Sequence, residues 1–185
     1  MAQVKIQIKS ISGEVLFEYE KENNTIKDTV EEAVRQNVSL DGASLNRASL
    51  NRANLNRANL NGANLDRANL DRASNIPYIP LKCPSDGAFV AFKKVDGKLV
   101  QLLIPEDAKR SSATTMKCRC DKAKVLAITS LDGTEQYDSV LNTNYTDTEY
   151  KVGEMVYPDK FDDNRWNECS NGIHFFINKQ DAINY

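Results

Sequence analysis

Residues 38–74 read V-S-L-D-G, A-S-L-N-R, A-S-L-N-R, A-N-L-N-R, A-N-L-N-G, A-N-L-D-R, A-N-L-D-R, A-S, and this period of five decides the fold. Leucine stands at the centre of seven successive pentads, at Leu40, Leu45, Leu50, Leu55, Leu60, Leu65 and Leu70. Five residues match neither the 3.6-residue turn of an α-helix nor the two-residue alternation of a flat strand. Such a chain winds as a solenoid, with apolar residues two apart facing inward and the other three positions facing out.

Working outward, residues 1–37 begin with Val4, Ile6 and Ile8 alternating with Lys5, Gln7 and Lys9. After Ser12-Gly13 comes a second run, Val15–Tyr19, so a β-hairpin is expected. Asn23-Asn24-Thr25 offers an N-cap, and Ile26, Val30, Ala33 and Val34 recur at helical spacing through Thr25–Gln36. Residues 76–185 read as short strands. Phe89–Lys94 and Leu99–Ile104 flank Val95-Asp96-Gly97-Lys98, a hairpin signal, and Val125–Thr129, Gly153–Val156 and Gly172–Ile177 are further strand candidates. Asn178 caps a short final helix.

The middle segment resembles the pentapeptide-repeat family, whose pattern is A-(N/D)-L-x-x. The resemblance implies a right-handed quadrilateral β-helix with four pentads, one per side, in each coil. Seven pentads then make fewer than two coils. Each buried leucine contributes about 1.5–3 kcal/mol, but both ends of so short a stack expose leucines and unpaired backbone, so it needs caps. The expected fold is therefore mostly β. A pentapeptide-repeat solenoid over 38–75 is capped by the hairpin and helix of 1–37 and by a mainly-β α+β domain over 76–185. That last segment resembles a domain of unknown function found behind pentapeptide repeats in phage and bacterial proteins. The phrases that carry the resemblance are Pro105–Arg110, Lys117-Cys118-Arg119, Tyr150–Gly153 and Cys169–Phe176. It implies a phage or mobile-element setting and no reaction.

Composition narrows the function. Of 185 residues, 24 are lysine or arginine and 26 aspartate or glutamate, giving a net charge of −2. That balance argues against a general nucleic-acid binder and against a whole-chain DNA mimic. No apolar run approaches the length of a membrane span, and Met1–Lys5 has no secretory-signal character. Four cysteines are too few for a disulfide scaffold, so reduced thiols in a cytoplasmic protein are expected, the host cytoplasm if phage-encoded.

Candidate binding residues follow from the twenty-residue lap. Residues twenty apart lie one above another at strand spacing, about 4.8 Å. Gly42 falls under Gly62, Arg47 under Arg67 and Arg52 under Arg72, while Arg57 is the fifth arginine. Two sides carry stacked arginines to receive an anion, a nucleotide or an acidic protein, or simply to be solvated beside Asp66 and Asp71. The glycine side receives a flat partner or packs against the chain itself.

Elsewhere, Cys169 precedes the only histidine, His174, by five residues. A cysteine–histidine pair makes an activated nucleophile, yet His174 between apolar neighbours is the ordinary setting of a core histidine. Cys118 and Cys120 point to one side of a strand, and with Cys83, Cys169 and His174 they would supply zinc ligands. The paired C-x-x-C spacing of a zinc site is absent, and buried thiols are the default. No metal, cofactor or catalytic set is assigned.

The reading is a non-enzymatic protein that engages, and so inhibits, a host or defence-system macromolecule. Two alternatives stand beside it: a nucleotide or small-anion sponge built on the arginines, and an enzyme centred on Cys169 and His174. The expected partner is a protein, no membrane is involved, and a homodimer is the default assembly.

Overall fold

The computed structural model describes residues 2–143 and 147–185. The chain divides into two compact units, Met1–Pro80 with Ala113–Thr115, and Leu81–Ser112 with Met116–Tyr185. Most of the regular structure is strand, with two short helices.

The first unit opens with β1 (Gln3–Lys9) paired antiparallel to β2 (Val15–Glu22), the hairpin that the alternation dictates. Ile8 on its inner face is fully buried. Helix α1 (Ile26–Arg35) starts at a capping box. The Thr25 hydroxyl accepts from the Asp28 N–H at 3.1 Å, and the Asp28 carboxylate accepts from the Thr25 N–H at 3.1 Å. The helix stops because Asn37 turns left-handed (φ 56°), and the N–H groups of Asn37 and Val38 close back on the carbonyls of Val34 and Ala33.

From there the backbone bonds step by about twenty residues. The N–H groups of Leu40, Leu45, Leu50 and Leu55 donate to the carbonyls of Asn59, Asn64, Asn69 and Ser74. Those of Asn64, Asn69 and Ser74 donate back to Ala43, Ala48 and Ala53, and the bridges are parallel. This is the lap that the repeat resemblance implies. All seven central leucines are buried, together with Ala43, Ala53, Ala58, Ala63 and Ala68.

Each corner is a turn closed by a bond from the alanine N–H to the preceding leucine carbonyl, as in Ala43 to Leu40 at 3.1 Å. The third residue of every such turn has positive φ. The asparagine just before the turn supports the corner: the carbonyl oxygens of the Asn64 and Asn69 side chains accept from the N–H groups of Asp66 and Asp71 at 2.9 and 3.0 Å. The first coil's open edge is satisfied within the unit, by the Lys9 carbonyl on the Ser44 N–H and the Glu31 carboxylate on the Asn54 N–H. On the second coil the Thr114 hydroxyl accepts from the Leu65 N–H at 3.2 Å.

In the second unit, β3 (Phe89–Val95), β4 (Lys98–Ile104), β7 (Ala123–Ser130) and β10 (Met155–Val156) form a sheet in the order β10-β7-β4-β3. A second sheet orders β11 (Ile173–Phe175), β6 (Cys118–Cys120) and β5 (Arg110–Ser112). The pair Phe92–Phe176 exchanges two backbone bonds of 2.8 Å and joins β3 to the end of β11. A small hairpin, β8 (Ser139–Asn142) with β9 (Thr148–Lys151), and helix α2 (Lys179–Asn184) complete the unit. Its core gathers Ala91, Val100, Leu102, Ile104, Val125, Ile128, Ile173 and Phe175.

Candidate functional site

The five arginines of the repeats, Arg47, Arg52, Arg57, Arg67 and Arg72, are all exposed. All five occupy the left-handed corner position, with φ between 54° and 66°, the same position that Gly42 (66°) and Gly62 (63°) fill. This explains the glycines on conformational grounds, because left-handed backbone costs an L-residue about 1–2 kcal/mol. A Cβ built on Gly42 meets nothing within 4 Å, while the atoms nearest to one on Gly62 are those of Asp41 and of the Gly42 backbone, its partner one coil below. The stacking pairs are those expected: Gly42, Arg47 and Arg52 donate their N–H groups to the residues just before Gly62, Arg67 and Arg72. Arg72 forms a loose ion pair with Asp71 at 3.7 Å, both side chains well exposed, a contact worth about 0–1 kcal/mol.

In the second unit, β6 points Cys118 and Cys120 into the core and Arg119 to the opposite face. Arg119 is 1% exposed and, among the described residues, carries no carboxylate hydrogen bond. Its guanidinium donates instead to the carbonyls of Asp162, Asn171 and Asn164 at 3.0, 2.7 and 3.0 Å, and lies over the Phe161 ring. Gly172 (φ 142°) passes so close that a Cβ there would sit 3.3 Å from Arg119 Cβ and from the Cys120 carbonyl. Burial lowers the Arg119 pKa, opposed by Asp162 and its neighbours. Asp162, held by Ser170, Asn167 and the Asn164 N–H, is brought down to about 2. The acidic group at Asp162 is thus the knot of the loop that wraps Arg119.

Cys169 and His174 are not assembled as a nucleophile and its base. His174 Nε2 faces the Ser170 carbonyl at 2.8 Å, and among the described residues the imidazole makes no hydrogen bond to Cys169. Cys169 Sγ lies 2.8 Å from Nζ of Lys117, a lysine only 7% exposed whose amine also meets the Tyr185 hydroxyl at 3.3 Å. Burial works to lower the Lys117 pKa, but those two hydrogen bonds together with the Coulombic attraction of Tyr185 and Cys169 raise it overall. The five candidate zinc ligands do not converge. Cys83, Cys118 and Cys120 are buried thiols, Cys169 is exposed, and among the described residues no three metal-ligating side chains cluster. Arg119 and Lys117 are the residues that sequence reasoning passed over. Their one signal was placement of charge inside the short apolar phrase Met116–Cys120.

Two outcomes follow. Cys169 is the exposed thiol of the four, so native protein should titrate close to one thiol per chain with an aromatic disulfide reagent, and Cys169→Ser should abolish that fast fraction. His174 is held neutral: burial, against its bond to Ser170, lowers its pKa from 6.5 to about 4. Above pH 6.5 both folded and unfolded states carry a neutral ring. Between 6.5 and 4 only the unfolded state takes the proton, so stability falls as pH falls, by an amount on the order of 3 kcal/mol. His174→Gln should flatten that fall in urea midpoints measured at pH 7 and pH 4.5.

The stacked, leucine-centred coils define a pentapeptide-repeat protein. A pentapeptide-repeat model matches eight copies over residues 36–74, one more than the central leucines mark. Residues 79–182, more than half of the chain, match a family of unknown function (DUF5758), and the chain belongs to that family. No curated protein and no solved structure matches it. No helix among the described residues is long and apolar enough to cross a membrane.

Proposed function

We propose that this is a non-enzymatic binding protein, cytoplasmic and of phage or mobile-element origin. Its right-handed, four-sided repeat column would present arginine to an acidic surface on a host or defence protein and so block it. The observation that supports the reading is the choice of residue at the corners. Glycine is the unstrained occupant of left-handed backbone, yet exposed arginine stands at five of the seven corners, and four of the five stack in pairs, Arg47 with Arg67 and Arg52 with Arg72. A merely solvated corner gains nothing from a long cation that strains the backbone; a contact with an acidic partner does.

The experiment is affinity capture from bacterial lysate with the intact protein and with Arg47, Arg52, Arg67 and Arg72 all changed to glutamate. Partners lost by the variant, and eluted from the native protein by salt, support the reading. Identical captured sets overturn it. Stacked guanidinium groups also suit phosphate, and a nucleotide sponge would instead show a rise in melting temperature with a nucleotide panel.

A further inference from the structure

Strand β3 turns alternate side chains into the core of the second unit. Phe89, Ala91 and Val95 lie on that row, and Lys93 stands on it between Ala91 and Val95. Its cross-strand partner on β4 is Val100, fully buried, with Leu102 opposite Ala91. On the other side, the Phe92–Phe176 bridge carries the register on so that Phe175 of β11 flanks Lys93. Lysine is rare on such a row unless an anion meets it. Lys93 has no hydrogen bond and no ion pair among the described residues.

The titratable groups that face Lys93 supply no counter-charge. Cys120, from β6, is a buried thiol that burial pushes up to about 12, so it stays neutral. Lys117 repels the amine, and His174 on β11 is a neutral imidazole that feels Lys93, Lys117 and Arg119 as positive charge. The amine is therefore partly desolvated, has no carboxylate beside it among the described residues, and is repelled by Lys117, whose charge attracts an anion. Lys93 is only partly buried, so it is not sealed within the core.

We propose that Lys93 is a nucleophilic amine that condenses with a small carbonyl compound bearing an anionic group, such as an oxo acid. The nitrogen lone pair adds to the carbonyl carbon, giving a carbinolamine. Loss of water then leaves a C=N bond to Lys93; the carbonyl oxygen departs with the two amine protons, and no electrons change hands overall. The step needs the neutral amine, and burial, aided by Lys117, lowers the Lys93 pKa from 10.5 to about 8. At pH 7.5 such an amine is neutral about two hundredfold more often than an ordinary lysine. Partial burial and lower basicity take back part of that advantage. This inference is independent of the repeat arginines, and its failure would leave the binding reading untouched.

The test uses the full native chain, so folding of a variant is not at issue. Limiting glyoxylate with cyanoborohydride at about pH 7.5 traps any imine as a carboxymethyl amine, and peptide mass spectrometry locates it. Label at Lys93 should exceed that at the exposed Lys124 and Lys160 by about tenfold or more. The excess should vanish in urea-unfolded protein. Label at Lys93 equal to or below the exposed lysines in the folded chain overturns the proposal. Propanal, a neutral aldehyde, should show a smaller Lys93 preference than glyoxylate; an equal preference overturns the anionic requirement.

Discussion

Replacing Leu50 with alanine is expected to destabilise the repeat unit by about 2–5 kcal/mol, the range for emptying a fully enclosed leucine site. Leu50 is fully buried, and its N–H is tied to the Asn69 carbonyl of the coil above. The surroundings cannot collapse onto the space, because each neighbour is pinned at strand spacing by the same ladder of backbone bonds. A long solenoid spreads such a loss over many repeats, since its stability is a sum of local and nearest-neighbour contributions. Here seven pentads leave no distant repeats to hold the rest. Urea unfolding followed by circular dichroism measures the change. Asn51→Ala, one residue along on the exposed face, serves as the control and should stay within about 0.5 kcal/mol. A Leu50→Ala cost no larger than that of Asn51→Ala would mean that the leucines do not carry the stack.

The repeats were legible because a period of five leaves the backbone so few options. Once the resemblance to pentapeptide repeats supplies four pentads to a coil, the register that sets Arg47 beneath Arg67 follows from counting. Helix α1 was legible too, since Asn23-Asn24-Thr25 offers its cap and Ile26, Val30, Ala33 and Val34 recur at helical spacing before any packing is known. What the residues concealed was the backbone at the corners. Gly42 and Gly62 hint at left-handed geometry, but arginine at the other five corners hides it, because arginine has no preference for that region and signals only solubility or binding. In the second unit, the hairpin signal at Asp96-Gly97 exposed β3 and β4, and a short apolar run exposed β7. Such signals are missing at β5, β8 and β9, which are three or four residues long, pair with a strand close by in the chain and carry no apolar run of their own. The role of Arg119 was hidden most deeply. Its partners are backbone carbonyls 43 to 52 residues away, which any residue type can supply, so no pattern of side chains could reveal them.

Arg119→Ala should therefore produce the largest loss in the second unit, about 3–5 kcal/mol. Three effects add. The carbonyls of Asp162, Asn164 and Asn171 lose their donor; those buried with the guanidinium each cost about 1–3 kcal/mol if left unpaired. The Phe161 ring loses the cation it covers. The volume of the side chain, 1% exposed, becomes a void between β6 and the loop. Arg119→Lys keeps the charge but not the planar fork, and one ammonium cannot reach carbonyls arranged around the guanidinium edge, so it should recover only a minor part of the loss. Thermal unfolding gives the size of the effect, and amide hydrogen exchange gives its place. Protection should fall first across 161–172, the loop that Arg119 gathers, before β3, β4 and β7 open. A variant that loses less than about 1 kcal/mol, or that opens uniformly, would mean that Asp162 with Asn167 holds the loop unaided and that the arginine is a passenger in its own cage.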